Sequence, residues 1–300
     1  AVGAADVLGH EVRIFVPSTT DKVIPAVKRR FEERFEVVLY RTPDEIVCDA
    51  LYVIKRGRPG RITTGIPELN HAFIDASEPH GHRFAAVSEW VARTATRTLR
   101  LPRGRTIRVP RLKKPAVVPH IVKLPDVAED LRDELGIPQD AVVFGRHGGI
   151  GTFSVDFVRD AVRSVVDERK DAWFVLINVE QFYEHPRIVD LPMTTDREAI
   201  RRFVNTCDYM LHAYHLGETF GLAVAEFALV GAPVITYVDA PRKAHLDLLP
   251  DGLRLGYSTY DDLLGHLRTL ERRVAPIPSD IAESYSVERV MKRFDEVFLS

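Results

Sequence analysis

Residues 217–233 read GETFGLAVAEFALVGAP, and this stretch decides how the chain is organised. Gly217 and Gly221 bracket a polar turn, Glu218-Thr219-Phe220, that opens an apolar run closing on Gly231-Ala232-Pro233. The pattern predicts a loop, a buried helix from about Thr219 to Val230, and then a strand over 233–238 (PVITYV). The apolar stretch Gly221–Val238 reaches the length of a membrane span, but Glu226 sits inside it and Pro233 breaks it. A carboxylate in hydrocarbon is costly, so a helix followed by a buried strand is the better reading. The N–H groups that open such a helix lack intrahelical acceptors and carry partial positive charge, which suits a phosphate. Glu226, inside the apolar helix, needs hydrogen-bond donors. A ribose diol would supply them, and so would a neighbouring arginine; the spacing does not decide between the two. Glu218 lies eight residues earlier. A helical rise over that interval is on the order of 12 Å, comparable to the reach from a ribose across a diphosphate to a sugar.

Outward from this stretch, strand and helix patterns alternate. In the C-terminal half the sequence predicts a helix in 126–136 (DVAEDLRDELG), a strand at 141–145 and a helix from Val155 to Lys170. A strand at 172–178, a helix at 197–205 and a strand at 209–213 follow. In the N-terminal half, strands are expected at 11–16, 37–40, 50–54 and 71–74, with helices at 21–35 and from Ser88, as N-cap, to Arg97. Such alternation implies an α/β protein with parallel sheets covered by helices. Five prolines between 102 and 125 mark a linker or extended crossover, which places a boundary near Pro119. The expected domains are therefore 1–119 and 120–285, each Rossmann-like, with a final helix at 286–300 packing back across the junction. Residues 1–9 read as the end of a helix, so the N-terminal domain is expected to lack its first strand.

Composition limits the function classes. The 300 residues carry a formal net charge of −2, which gives no general attraction to nucleic acid. Cys48 and Cys207 are far apart and match no metal-ligand spacing, so a reducing, cytoplasmic setting is the expectation.

A second informative stretch is 143–153, VFGRHGGIGTF. A strand ends at Gly145 and presents Arg146 in a loop containing Gly148, Gly149 and Thr152. The planar guanidinium fork suits a diphosphate, although a surface arginine in a glycine-rich loop reads the same way. The glycines do not form a dinucleotide fingerprint. In 70–90, His71, Asp75, Glu78 and His80 fall at strand ends and loops, where any of them could face a reaction centre or simply pack. His80 and His82 have no third ligand at zinc spacing. His212 reads as packing and His215 as a pocket residue. The interval from Arg93 to Lys114 holds no acidic residue. A solvated face is the plainer reading, and contact with an anionic membrane surface or a charged acceptor the functional one.

Taken as a composite, 217–233 resembles the E-x7-E motif of GT-B glycosyltransferases, in particular the retaining family 4 (glycosyltransferase group 1) type. The GR-x-GG-x-x-TF form of 145–153 looks like a bacterial and large-virus subgroup, and VSEW at 87–90 resembles the family's acceptor-side helix start. The resemblance is strongest over 140–240. It implies two Rossmann-like domains facing across a cleft. Glu218 would hold donor-sugar hydroxyls and Glu226 the ribose. Gly217, Thr219, Phe220 and Gly221 would offer backbone to sugar and phosphates, and Arg146 would bind the diphosphate. The family usually adds a lysine where Gly151 stands here, and the Thr152 hydroxyl is the available substitute. Glu218, His80 and His71 are the expected catalytic residues. The donor would be a nucleotide diphosphate sugar, the acceptor a glycan or lipid-linked hydroxyl, with no metal or further cofactor and no nucleic acid. Transfer would retain configuration, in the cytoplasm or at the inner face of a membrane. A 2-epimerase acting on nucleotide sugars and a non-catalytic sugar-nucleotide-binding scaffold remain alternatives.

Overall fold

A computed structural model of the chain describes residues 1–20, 24–59, 65–100, 106–111 and 113–300. They divide into two compact units, Ala1–Ile121 with Tyr285–Ser300, and Val122–Ser284.

The first unit runs α1 (Val2–Asp6), β1 (Arg13–Pro17), α2 (Pro25–Glu32), β2 (Glu36–Tyr40), β3 (Leu51–Lys55), β4 (Glu68–Ala72) and β5 (Arg83–Ala86). It continues through α3 (Glu89–Arg93), β6 (Thr96–Arg100), β7 (Thr106–Pro110) and β8 (Ala116–Val117). β1 and β2 pair in parallel, and β3-β4-β5-β8 form a four-stranded parallel sheet. The C-terminal helix, Val287–Phe294, begins at Ser286, whose side chain accepts from Arg289 N–H, and Asp295–Leu299 continues it in wider turns. Its Val290, with Phe298 beyond it, buries against Leu69, Ala85 and Val118. Tyr52 meets Phe294 and Phe298 edge-on at 5.1 and 5.7 Å.

Two local expectations change in this unit. Ser88 is indeed an N-cap, accepting from Val91 N–H, but its helix stops at Arg93. The chain then re-enters as a strand, and β6 and β7 form an antiparallel hairpin, with Thr96 opposite Pro110 and Arg100 opposite Thr106. The segment read as a linker is therefore partly paired structure. Residues 21–23 of the predicted 21–35 helix, and 101–105 and 112 of the basic stretch, lie outside the described residues.

The second unit contains α4 (Arg132–Leu135), β9 (Val142–Arg146), α5 (Val158–Glu168), β10 (Ala172–Ile177), β11 (Ile188–Leu191), α6 (Arg197–Thr206), β12 (Tyr209–His212) and β13 (Gly217–Glu218). It closes with α7 (Leu222–Leu229), β14 (Val234–Tyr237), β15 (Arg242–Lys243), α8 (Ala244–Asp247), β16 (Arg254–Tyr257), α9 (Tyr260–Thr269) and α10 (Ile281–Ser284). Six strands form one parallel sheet in the order β11-β10-β9-β12-β14-β16. Both faces are covered, which is why β9 and β12 are buried along their whole length. Val142 and Phe144 point into a core shared with α5 and α9. Gly145 faces the other way, where a Cβ would lie 2.2 Å from Cys207 Sγ and 3.1 Å from the Phe203 ring, so α6 closes against bare backbone.

The helix predicted in 126–136 shrinks to α4, ended by Gly136 at φ 66°. Side chains of α6 take the backbone ahead of it. Arg201 and Asn205 donate to the Val127 carbonyl, Arg202 to that of Asp130, and Thr206 accepts from Leu131 N–H. With those groups satisfied from outside, the segment has little to gain from coiling on itself.

Candidate functional site

In an open parallel sheet, ligands bind beyond the carboxyl ends of the strands, where the strand order reverses. From β9 the chain moves outward to β10 and β11, then returns to place β12 on β9's other side. The crevice therefore lies between the ends of β9 and β12, at Arg146 and His212.

Arg146 is 2% exposed. One terminal nitrogen donates to the carbonyls of Ile177 and Asn178 at 2.6 and 3.0 Å. The other donates to the Gly149 carbonyl at 2.9 Å and to the Thr152 hydroxyl. These acceptors are neutral, so they orient the cation without cancelling it. Burial pushes its pKa down to about 10, opposed by the nearby Glu218 carboxylate, and the group stays charged at neutral pH. The Thr152 hydroxyl in turn donates a hydrogen bond to the Gly149 carbonyl. Asn178 adopts φ 60°, unusual for a residue other than glycine, and donates its amide to the Gly148 carbonyl at 3.0 Å. Arg146 and Asn178 thus fix the 147–152 loop from beneath; in the geometry seen, Arg146 organises the loop rather than offering a bare fork to a ligand.

The second loop, 213–221, is shaped by two glycines. Gly217 sits at φ 64°, and a Cβ there would lie 1.9 Å from the Arg242 carbonyl oxygen, because β13 pairs closely with β15. Gly221 at φ 99° is the N-cap of α7 and provides no side-chain cap, so the first-turn N–H groups point out of the helix without one. Helical geometry begins only at Leu222. The 12 Å rise expected between the two glutamates therefore applies only from Leu222 to Glu226, about 6 Å.

Glu218 is partly exposed, and its backbone N–H donates to His245 Nδ1 at 3.3 Å. One carboxylate oxygen lies 3.5 Å from His212 Nε2. Glu226 is buried and has found donors within the protein. One oxygen accepts from Arg197 at 2.6 Å, and the other lies 3.0 Å from His147 Nε2. Burial raises the Glu226 pKa, but His147 and Arg197 more than offset this, and the carboxyl titrates below the ordinary glutamate value. The ion-pair alternative of the sequence reading is thus realised, while the carboxylate keeps lone pairs for a further donor. Phe220 is buried beside Gly221, and His215 meets Ser154 Oγ at 2.7 Å.

The structure brings Arg146, Gly148, Gly149, Thr152, Gly217, Glu218, Thr219, Phe220, Gly221 and Glu226 together in the Val122–Ser284 unit. His71 and His80 belong to the other. His71 is buried, donates from Nε2 to the Val118 carbonyl at 2.7 Å and faces the Tyr52 hydroxyl through Nδ1 at 2.6 Å. Burial, with His120 adding to it, pushes its pKa down to about 4. Both ring nitrogens are committed, so His71 packs rather than presenting a free acid or base. His80 donates from Nδ1 to the Glu78 carbonyl at 2.6 Å, and its Nε2 is buried without a hydrogen-bond partner among the described residues. Asp75 caps Ser77, and Glu78 pairs with Arg108. No local signal in the sequence marks His147, Asn178, Arg197 or His245, because only the fold brings them to this edge. No group of three His, Cys, Asp or Glu side chains among the described residues could hold a metal ion, and no described helix is long and apolar enough to cross a membrane.

No family model matches the chain, and no curated protein matches it. Solved structures do. Anabaena Alr3699/HepE, crystallised with UDP and glucose, aligns over 100% of this chain and 94% of its own, with a TM-score of 0.67 at 13% identity. The chain has the GT-B fold. A glycosyltransferase from Rickettsia africae aligns over 99% of this chain and 88% of its own, TM-score 0.58 at 12% identity. Trehalose-6-phosphate synthase OtsA aligns over 78% and 67%, TM-score 0.51 at 10% identity.

Proposed function

We propose that the protein is a glycosyltransferase of the retaining family 4 type, moving a sugar from a nucleoside diphosphate sugar to a hydroxyl of a glycan or lipid-linked acceptor. One observation carries the reading. The open N-terminus of α7 lies at the switch point of the parallel sheet, between the carboxylates of Glu218 and Glu226, in the unit that also holds Arg146, a buried cation whose hydrogen-bond acceptors are neutral and whose nearby counter-charge is Glu218. The diphosphate would lie on the first-turn N–H groups of α7. Glu218 would accept hydroxyls of the donor sugar, and Glu226, already oriented by Arg197 and His147, would accept from the ribose. Arg146 acts on the leaving diphosphate through its field and through the loop it shapes, which is electrostatic stabilisation by groups already in place. The departing phosphate would take the acceptor proton on the same face, with no covalent sugar–enzyme intermediate. The complex of Anabaena Alr3699/HepE with UDP and glucose makes UDP-sugars the first donors to test.

A non-catalytic sugar-nucleotide-binding protein is the second reading. Gly151 stands where the family carries a lysine, and Arg146 is already engaged by its own loop. Incubation with a panel of nucleotide sugars and acceptor mixtures, followed by NMR of the product's anomeric coupling, separates the readings. A glycoside with the donor's configuration is expected. An inverted product, a sugar trapped on a carboxylate, or epimerised donor formed without acceptor would refute the mechanism. Donor binding with neither transfer nor hydrolysis would establish the second reading.

A further inference from the structure

Beneath Glu218 lie two histidines that the donor-site reading leaves unused. His212 and His245 are 5% and 0% exposed, and their rings stand 4.7 Å apart at 47°. His245 Nδ1 accepts from Glu218 N–H, so its proton is on Nε2, directed toward the Tyr237 carbonyl without a well-formed hydrogen bond. Burial first, then His212, hold its pKa down to about 3, so it is a neutral ring that fixes the Glu218 backbone. His212 Nδ1 lies 2.9 Å from the Thr236 hydroxyl. Its Nε2 is buried, lacks a hydrogen-bond partner among the described residues and faces a Glu218 oxygen at 3.5 Å. A carboxylate only accepts, so the consistent neutral tautomer accepts a hydrogen bond from the Thr236 hydroxyl at Nδ1 and directs Nε2–H toward Glu218. One histidine therefore places the main chain of Glu218, and the other biases its carboxylate.

We propose that His212 and His245 are positioning residues for the glycosyl part of the donor. They hold Glu218 so that one oxygen faces His212 and the other is free to accept a sugar hydroxyl. The inference rests on the donor-site reading above and adds a division of labour: the pair governs recognition of the sugar and leaves recognition of the nucleotide to the α7 N-terminus and Glu226. The 3.5 Å separation closes to a hydrogen bond when a sugar hydroxyl fixes the far oxygen. An unpartnered buried N–H is costly, so closure supplies part of the preference for the sugar-bearing ligand.

The test is calorimetric titration of the full chain with UDP and with UDP-glucose, reading the ratio of the two affinities. His212→Phe keeps an aromatic ring, somewhat larger than imidazole, and removes both nitrogens. It is expected to leave UDP affinity within about twofold and to reduce the UDP-glucose advantage by about tenfold, the scale of one hydrogen bond to a charged group. His212→Gln, which can present an N–H near the Nε2 position, is expected to recover most of that ratio. Thr236→Val keeps the buried shape, removes the hydroxyl that sets the tautomer, and is expected to shift the ratio about threefold the same way. Equal losses for UDP and UDP-glucose, or an unchanged ratio in both His212→Phe and Thr236→Val, would overturn the proposal. Failure of the wild-type chain to bind either compound would remove the donor-site reading itself, and this inference with it.

Discussion

In the Ala1–Ile121 unit, the buried His71 commits both ring nitrogens, one to the Val118 carbonyl and one to the Tyr52 hydroxyl. In the Val122–Ser284 unit, His212 and His245 are equally buried but each keeps an Nε2 without a well-formed partner among the described residues, and the Glu218 carboxylate is partly exposed. Burial alone does not separate an architectural histidine from one that serves a site. The accounting of donors and acceptors does: a closed set is structure, and an open set beside a helix N-terminus is capacity for a ligand.

Three experiments probe this contrast. The largest effect is expected at the glycines. A side chain at Gly217 would collide with the Arg242 carbonyl from a left-handed backbone, whereas Gly9, left-handed at φ 71°, faces open space. Gly217→Val should lower unfolding stability by about 3 kcal/mol or more and abolish UDP-glucose binding, while Gly9→Ala should cost about 1 kcal/mol and leave binding intact. Chemical denaturation with calorimetry on the same samples reads both.

A smaller effect is expected with pH. The folded pKa values of His71 and His245 are pushed down to about 4 and about 3, below an ordinary histidine value near 6.5. The unfolded chain therefore binds more protons between those limits. Each residue contributes stability that is complete above about pH 6.5 and is lost as pH falls toward the folded pKa, by about 1.4 kcal/mol per pH unit at most. Denaturation midpoints at pH 7.5, 5.5 and 4.5 should fall accordingly, and His71→Phe or His245→Asn should each flatten the curve by one residue's share. The smallest effect is expected from His71→Phe on ligand binding, with UDP-glucose affinity unchanged while the denaturation midpoint moves. A loss of affinity would mean that the closed set in the first unit serves the site after all.

The parallel sheet of the second unit was readable because β9, β10, β12 and β14 are short apolar runs bounded by turn residues, which local pattern captures. The expected helix runs past Arg93 because the helix signal at Ser88 is real, while the alternation TRTLR that follows it pairs with a strand beyond, a non-local fact. α7 starts at Leu222, later than the expected Thr219, because Gly217 and Glu218 are held in β13 by pairing with residues 242–243. Arg146, Glu218 and Glu226 were visible as chemistry that needed partners. The partners were not, since His147, Arg197 and Glu226 are spread over eighty residues and meet only through the fold.

The most direct test of the donor site is calorimetric titration of wild type and Glu226→Ala with UDP, GDP, ADP and their glucose conjugates. One nucleotide family should bind, and the variant, which loses the carboxylate, should bind it about 1–3 kcal/mol more weakly while still unfolding cooperatively in chemical denaturation. Binding of no nucleotide, or full affinity in the variant, would contradict the assignment of this sheet edge as a nucleotide-sugar site.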